Sequence, residues 1–186
     1  WAARAWTWHE AADVRTFHPP EEDSAERPLD LIWIGNWGDG ERSNEISQYL
    51  IEPVRTLGLK TRLHGVRYPE SARRMLERAG IDYRDWLPNF RVPEAFAEAK
   101  ATVHIPRRFY AESLPGIPTI RMFEALACGI PLISAPWDDC EDLFRGGERV
   151  ILLFQSGPKL AISGRLVQFR VSAVELADLV HVPLTR

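Results

Sequence analysis

The chain has 186 residues, enough for one domain with a substantial core, and 45% hydrophobic against 26% charged content excludes wholesale disorder. A net charge of −3 supplies no basic face for nucleic acid, and no run approaches the roughly 20 apolar residues of a spanning helix. Histidines are scattered without ligand spacing, and Cys128 and Cys140 are too few for a zinc site or a disulfide framework. The expectation is therefore a cytoplasmic protein with reduced thiols, no nucleic-acid partner and no integral membrane segment. The charged N-terminus is no signal peptide, and the absence of Met there points to a fragment.

Residues 1–28 read as a linker that ends in the exposed stretch HPPEEDSAERP, and Trp1, Trp6 and Trp8 are expected to pack in a core. Residues 29–35 form a short apolar run closing on glycine, a buried strand. A turn at 36–40 leads to a helix at 41–57, with an apolar stripe of Ile46, Leu50, Ile51, Val54 and Leu57 that Pro53 must kink or split. Further strands are expected at 61–66, 81–87, 101–105 and 131–134, with helices at 69–79, 93–99 and 118–128 and a helical turn at 141–144. Strands alternating with helices predict an α/β domain over 29–150, a Rossmann-like doubly wound parallel sheet with helices on both faces. Ligands in such sheets lie outside the carboxyl ends of the strands. Residues 151–186 shift in composition, with two acids, Glu175 and Asp178, against four basic residues. They read as an atypical tail, truncated or aberrant.

The run from Gly116 to Ser134 carries the most chemistry. Gly116 permits close backbone approach, and Ile117, Pro118 and Thr119 lead into a helix N-terminus suited to an anion. Arg121 opposes the helix dipole unless an anion or acid answers it, and Glu124 stands one turn on, placed for a ribose hydroxyl or for a plain ion pair with Arg121. The loop Gly35, Asn36, Trp37 to Gly40 follows a strand but is neither a dinucleotide fingerprint nor a P-loop, so it reads equally as a ligand loop or a simple turn. Arg107 and Arg108 follow the fourth strand, where a phosphate charge or a solvated pair both fit. Asp138, Asp139 and Glu141 follow the fifth strand and read as helix caps. His104, inside an apolar strand, reads as a packed histidine.

The segment Arg121-Met122-Phe123-Glu124-Ala125-Leu126-Ala127-Cys128-Gly129-Ile130-Pro131-Leu132-Ile133-Ser134 resembles the donor-site helix and strand of GT-B glycosyltransferases. With residues 114–119 and 136–139 it is most similar to the spore-maturation (CgeB-type) branch, and residues 12–19 are similar to the segment joining the two domains of that fold. The resemblance covers roughly 5–150 and implies one half of a GT-B fold, the domain that holds a nucleotide diphosphate sugar without a metal or other cofactor. Its partner would be the missing N-terminal acceptor domain. It implies ribose binding by Glu124, diphosphate binding by Gly116, Ile117, Pro118 and Thr119, a glycine loop at Gly35, Asn36 and Trp37, and the base near Leu87 and Pro88; Arg107 and Arg121 join these donor-binding candidates by their position at the sheet edge and the helix start. Gly116 departs from the family pattern, which has a glutamate there, and the tail is a second departure. The catalytic residues would lie in the missing domain. A non-catalytic nucleotide-sugar-binding module and a nucleotide-sugar epimerase of the same fold are the alternatives.

Overall fold

The computed structural model describes residue 4 and residues 8–21, 26–38, 40–114, 117–135 and 150–152. Within them six strands form one parallel sheet: β1 (Leu29–Ile34), β2 (Thr61–His64), β3 (Asp82–Arg84), β4 (Ala99–His104), β5 (Leu132–Ser134) and β6 (Val150–Leu152), in the order β3-β2-β1-β4-β5-β6. The chain builds outward from β1 to β3, then returns to lay β4 on the other side of β1. The carboxyl ends of β1 and β4 thus diverge into connections that leave in opposite directions, which opens a crevice.

Alternation along β1 assigns its side chains to two cores. Leu31 and Trp33 pack with Ile46, Leu50, Val54 and Leu76, while Ile32 packs with Phe96, Met122 and Leu132. The first layer comes from α1 (Ser43–Ile46), a π-helical turn at Ser47–Ile51, α2 (Glu52–Leu57) and α3 (Glu70–Arg78). The second comes from α4 (Val92–Ala97) and α6 (Ile120–Ala127), with α5 (Arg108–Ser113) between β4 and α6 in the chain. Helices cover both faces, so the doubly wound α/β Rossmann-like fold expected from the alternation is present.

The details differ where local pattern is weak. The helix expected at 41–57 is divided into three, and the Glu52 N–H reaches the Ser47 carbonyl five residues back. That wider turn immediately precedes Pro53, which has no N–H to give and would crowd the carbonyl four residues before it. Ala99, expected at the end of a helix, opens β4 because it pairs with Leu29. α5 was not expected, since six residues give no periodicity. β6 carries the sheet past residue 150.

Phe17, in the expected linker, is buried against Leu29, Ile32 and Met122. Trp8 corrects the expectation of core packing: it is 94% exposed, in a stretch over 8–13 that forms no helix or strand to fold it onto either core. Trp1, Trp6, Cys140, the helical turn at 141–144 and the tail beyond 152 lie outside the described residues.

Candidate functional site

Gly35, which follows β1, is held at close quarters. A Cβ on Gly65 would come 2.0 Å from the Gly35 carbonyl oxygen, so only glycine lets the β1 and β2 ends approach this closely. Tyr68 donates its hydroxyl to the same carbonyl at 2.8 Å. The Asn36 side chain accepts the Val66 N–H at 3.0 Å, and Trp37 is buried with its ring 5.5 Å from Tyr68. Asn36 and Trp37 are thus used in shaping the loop, and only Gly35 of the three lines the cleft at this edge.

That cleft has a volume of about 470 Å³ and lies at the carboxyl ends of β1 and β4. Its described lining includes Gly35, Arg42, His104, Arg107 and the segment from Ile117 to Arg121, with Trp8, His9 and Glu10 at its rim. Of the residues expected to bind a donor, Gly35, Arg107, Ile117, Pro118, Thr119 and Arg121 are brought together here. Leu87 instead packs beside the second core, and Pro88 accepts the Arg91 N–H at the start of a 3-10 turn. Gly116, Asp138, Asp139 and Glu141 lie outside the described residues.

His104 forms part of the floor. It is 5% exposed, with Nδ1 3.0 Å from Ser134 Oγ and Nε2 3.1 Å from Thr119 Oγ1. Burial, aided by the Arg42 charge, pushes its pKa down to about 3, so the ring is neutral. Thr119 is the N-cap residue of α6, yet no side chain caps that helix. The Thr119 hydroxyl is engaged with His104 instead, which leaves the helix N-terminus open toward the cleft.

Three arginines of the lining, Arg42, Arg107 and Arg121, bring positive charge. Arg42 spans the cleft wall, donating to the carbonyls of Ile105 (2.8 Å) and Asn36, with its guanidinium 5.4 Å from the Trp33 ring centroid. Its Nε is buried with no partner among the described residues. The sequence reading missed Arg42, which lies at the end of a turn and outside any apolar stripe; its proximity to the glycine loop was the available signal. Arg107 pairs with Glu41, and Arg108 holds Glu45 through two bonds of 3.0 Å, tying α5 to α1. Arg121 lies 2.5 Å from Glu124 Oε2 in an ion pair off the hydrogen-bonding direction.

The Arg121–Glu124 pair joins a buried carboxylate to a half-buried guanidinium rather than lying on a solvated surface. Glu124 is 3% exposed, and its Oε1 accepts the Asn89 amide at 3.1 Å while Asn89 Oδ1 accepts from Arg121 at 3.4 Å. Asn89 was not singled out from the sequence. Glu124 is not among the residues lining the cleft; its carboxylate sits behind Arg121. Cys128 is a buried free thiol whose pKa burial raises to about 11, so it is no ready nucleophile. Among the described residues no group of three potential metal ligands occurs, and no helix is long and apolar enough to cross a membrane.

The profile of the glycosyl transferase-like family matches residues 42–168. The chain belongs to that family. A search among curated proteins returned no match for this glycosyl transferase-like chain. Among solved structures it is similar to T4 phage BGT in complex with its UDP-glucose substrate, with TM-score 0.56 and 17% identity over 83% of this chain and 38% of that one. It is also similar to Anabaena Alr3699/HepE in complex with UDP and glucose, with TM-score 0.57 and 14% identity over 91% of this chain and 44% of that one. AviGT4, a glycosyltransferase involved in avilamycin A biosynthesis, matches with TM-score 0.51 and 14% identity over 76% of this chain and 42% of that one. The glycosyl transferase-like chain thus spans about two-fifths of the length of these structures, and the likeness is one of fold.

Proposed function

We propose that the chain is the donor-binding domain of a glycosyltransferase, one half of a GT-B fold, which holds a nucleotide diphosphate sugar for transfer to an acceptor. The observation that carries this reading is the cleft itself. It lies at the switch point between β1 and β4, with the uncapped start of α6 beside Arg121 and with Arg42 on its wall. Backbone N–H groups at a helix start and guanidinium groups both stabilise phosphate oxygens. They act most strongly where negative charge develops on a leaving diphosphate. Arg42, Arg121 and the helix supply that positive potential in this reading, and no metal is invoked.

Membership of the glycosyl transferase-like family and the fold shared with proteins solved with UDP-glucose or with UDP and glucose support it. In the finer reading the chain is a cytoplasmic fragment of a CgeB-type enzyme whose acceptor domain and catalytic residues lie in the remaining part. Glu124 would meet the ribose by exchanging its Arg121 or Asn89 contact. Arg107, Gly116, Ile117, Pro118 and Thr119 border the diphosphate and sugar, Gly35 to Trp37 shape the opposite wall, and Leu87 and Pro88 flank the base. Calorimetric titration with UDP, GDP and their sugars tests the reading. Binding of at least one is expected; absence of binding to all of them overturns it.

A further inference from the structure

We propose that Thr119 is a hydrogen-bond acceptor in the cleft, held in that role by Ser134 and His104, and that it receives a hydroxyl of the bound sugar rather than contacting a phosphate oxygen. The inference rests on the nucleotide-sugar reading for the identity of the ligand, but the proton order that fixes Thr119 does not.

That order follows from counting protons along one chain of groups. Ser134 is fully buried and has a single O–H, which it donates to the Ala135 carbonyl at 2.9 Å. Its Oγ therefore accepts in the contact with His104 Nδ1 at 3.0 Å, so Nδ1 carries the proton. A neutral imidazole has one N–H, and Nε2 is then bare. Nε2 lies 3.1 Å from Thr119 Oγ1, and the only proton available for that contact is the threonine's own. Thr119 has spent its O–H inward and keeps two lone pairs.

An N-cap oxygen ordinarily spends its lone pairs on an N–H of its own helix. Thr119 makes no such bond. Thr119 lines the cleft and its contact with His104 is only part-buried, so its oxygen is left to a ligand as an acceptor with nothing to donate. Phosphate oxygens at neutral pH are acceptors too, and such a pair repels. A sugar hydroxyl can give its proton. Arg42 and Arg121 suit the diphosphate, and Thr119 suits a hydroxyl of the group to be transferred. The burial of the relay matters, because a flip of any member would leave a polar group unpaired in the interior.

Two measurements test this. In ¹⁵N-histidine-labelled protein, long-range ¹H–¹⁵N correlation at pH 7 should show His104 neutral, with Nδ1 protonated and Nε2 bare; the Nε2–H tautomer or a charged ring overturns the relay. UDP-glucose and GDP-mannose, each against its free nucleoside diphosphate, are then titrated into the wild type, Thr119→Val and Thr119→Ser, with thermal midpoints confirming folding. Thr119→Val should weaken the nucleotide sugar that binds about ten-fold, the loss of roughly one hydrogen bond, while leaving the nucleoside diphosphate within about two-fold. Thr119→Ser should retain wild-type binding of both. Equal weakening of both ligands, or none of the nucleotide sugar, overturns the role of Thr119. Failure of the wild type to bind any of them overturns the nucleotide-sugar reading and the sugar contact with it, while the tautomer measurement still decides the relay.

Discussion

Arg121 and Glu124 stand one turn apart on α6, a spacing worth a few tenths of a kcal/mol on a solvated surface. Burial changes the balance. Glu124 is 3% exposed, whereas the Arg121 side chain keeps 24% exposure and a route to water. Removing the arginine leaves a buried carboxylate with Asn89 as its remaining partner among the described residues; removing the glutamate lets the guanidinium relax outward. Arg121→Ala is therefore expected to cost about 3 kcal/mol in urea denaturation, and Glu124→Ala clearly less. The spacing of the pair was legible in the sequence. Its burial and its third member were not, because Asn89 arrives from 35 residues away. His104 gives a pH dependence of definite sign. Its folded pKa of about 3 lies below the ordinary 6.5, so the unfolded chain takes up a proton that the folded state refuses. The stability it contributes is complete above pH 6.5 and falls as pH drops toward 3. The loss runs at about 1.4 kcal/mol per pH unit, or about 2 kcal/mol by pH 5, with His64 adding in the same direction. His104→Gln should make the fall of the denaturation midpoint between pH 6.5 and 5 shallower, the remainder coming from His64; an unchanged slope would remove His104 as a source.

The central strands were readable as short apolar runs buried on both faces and the longer helices by a periodic apolar stripe; β3, with no buried residue, is shorter than the expected 81–87. The stripe Ile46, Leu50, Ile51 and Val54 is buried as its spacing implies, and the helix yields at Pro53 through the π-helical turn just before it. α5 was not readable. Its six residues carry no periodic signal, and it is tied down by Arg108 reaching Glu45 on α1, a contact between elements. Strand ends also depended on partners: β4 begins at Ala99 because Leu29 stands opposite. Gly65 shows the same dependence at closest range. A Cβ there would sit 2.0 Å from the Gly35 carbonyl oxygen, and the backbone at both residues is held, Gly35 N–H by the His64 carbonyl and Gly65 N–H by the Asp85 carbonyl. Gly65→Ala is expected to cost about 3 kcal/mol and to pull β1 and β2 apart at the cleft edge. The urea midpoint measures this; a shift worth less than about 1 kcal/mol would mean that the two ends are not rigidly joined.

At the scale of the molecule, the order β3-β2-β1-β4-β5-β6 places the ends of β1 and β4 side by side and directs α1 and α6 to opposite walls of one cleft. The chain spans about two-fifths of the length of the solved structures it resembles. On the proposed reading, the domain alone should bind a nucleotide sugar and gain about 2.7 kcal/mol of stability at a ligand concentration a hundred times Kd. It should transfer no sugar to simple acceptors; chromatographic detection of turnover near a usual enzymatic rate of about 10 per second would place the whole active site within this chain. The sequence by itself determined the α/β class, the two-sided burial of the sheet and the presence of α6, because patterned burial and helix-end signals are local properties written over a few residues. Only the tertiary structure decided that Arg42 joins Arg121 at one cleft, that Asn89 and Glu124 hold Arg121 from behind, and that Ser134 and His104 form a line of contacts ending at Thr119. Those meetings depend on strand order and register, which bring together residues far apart in the chain, and no local pattern encodes them.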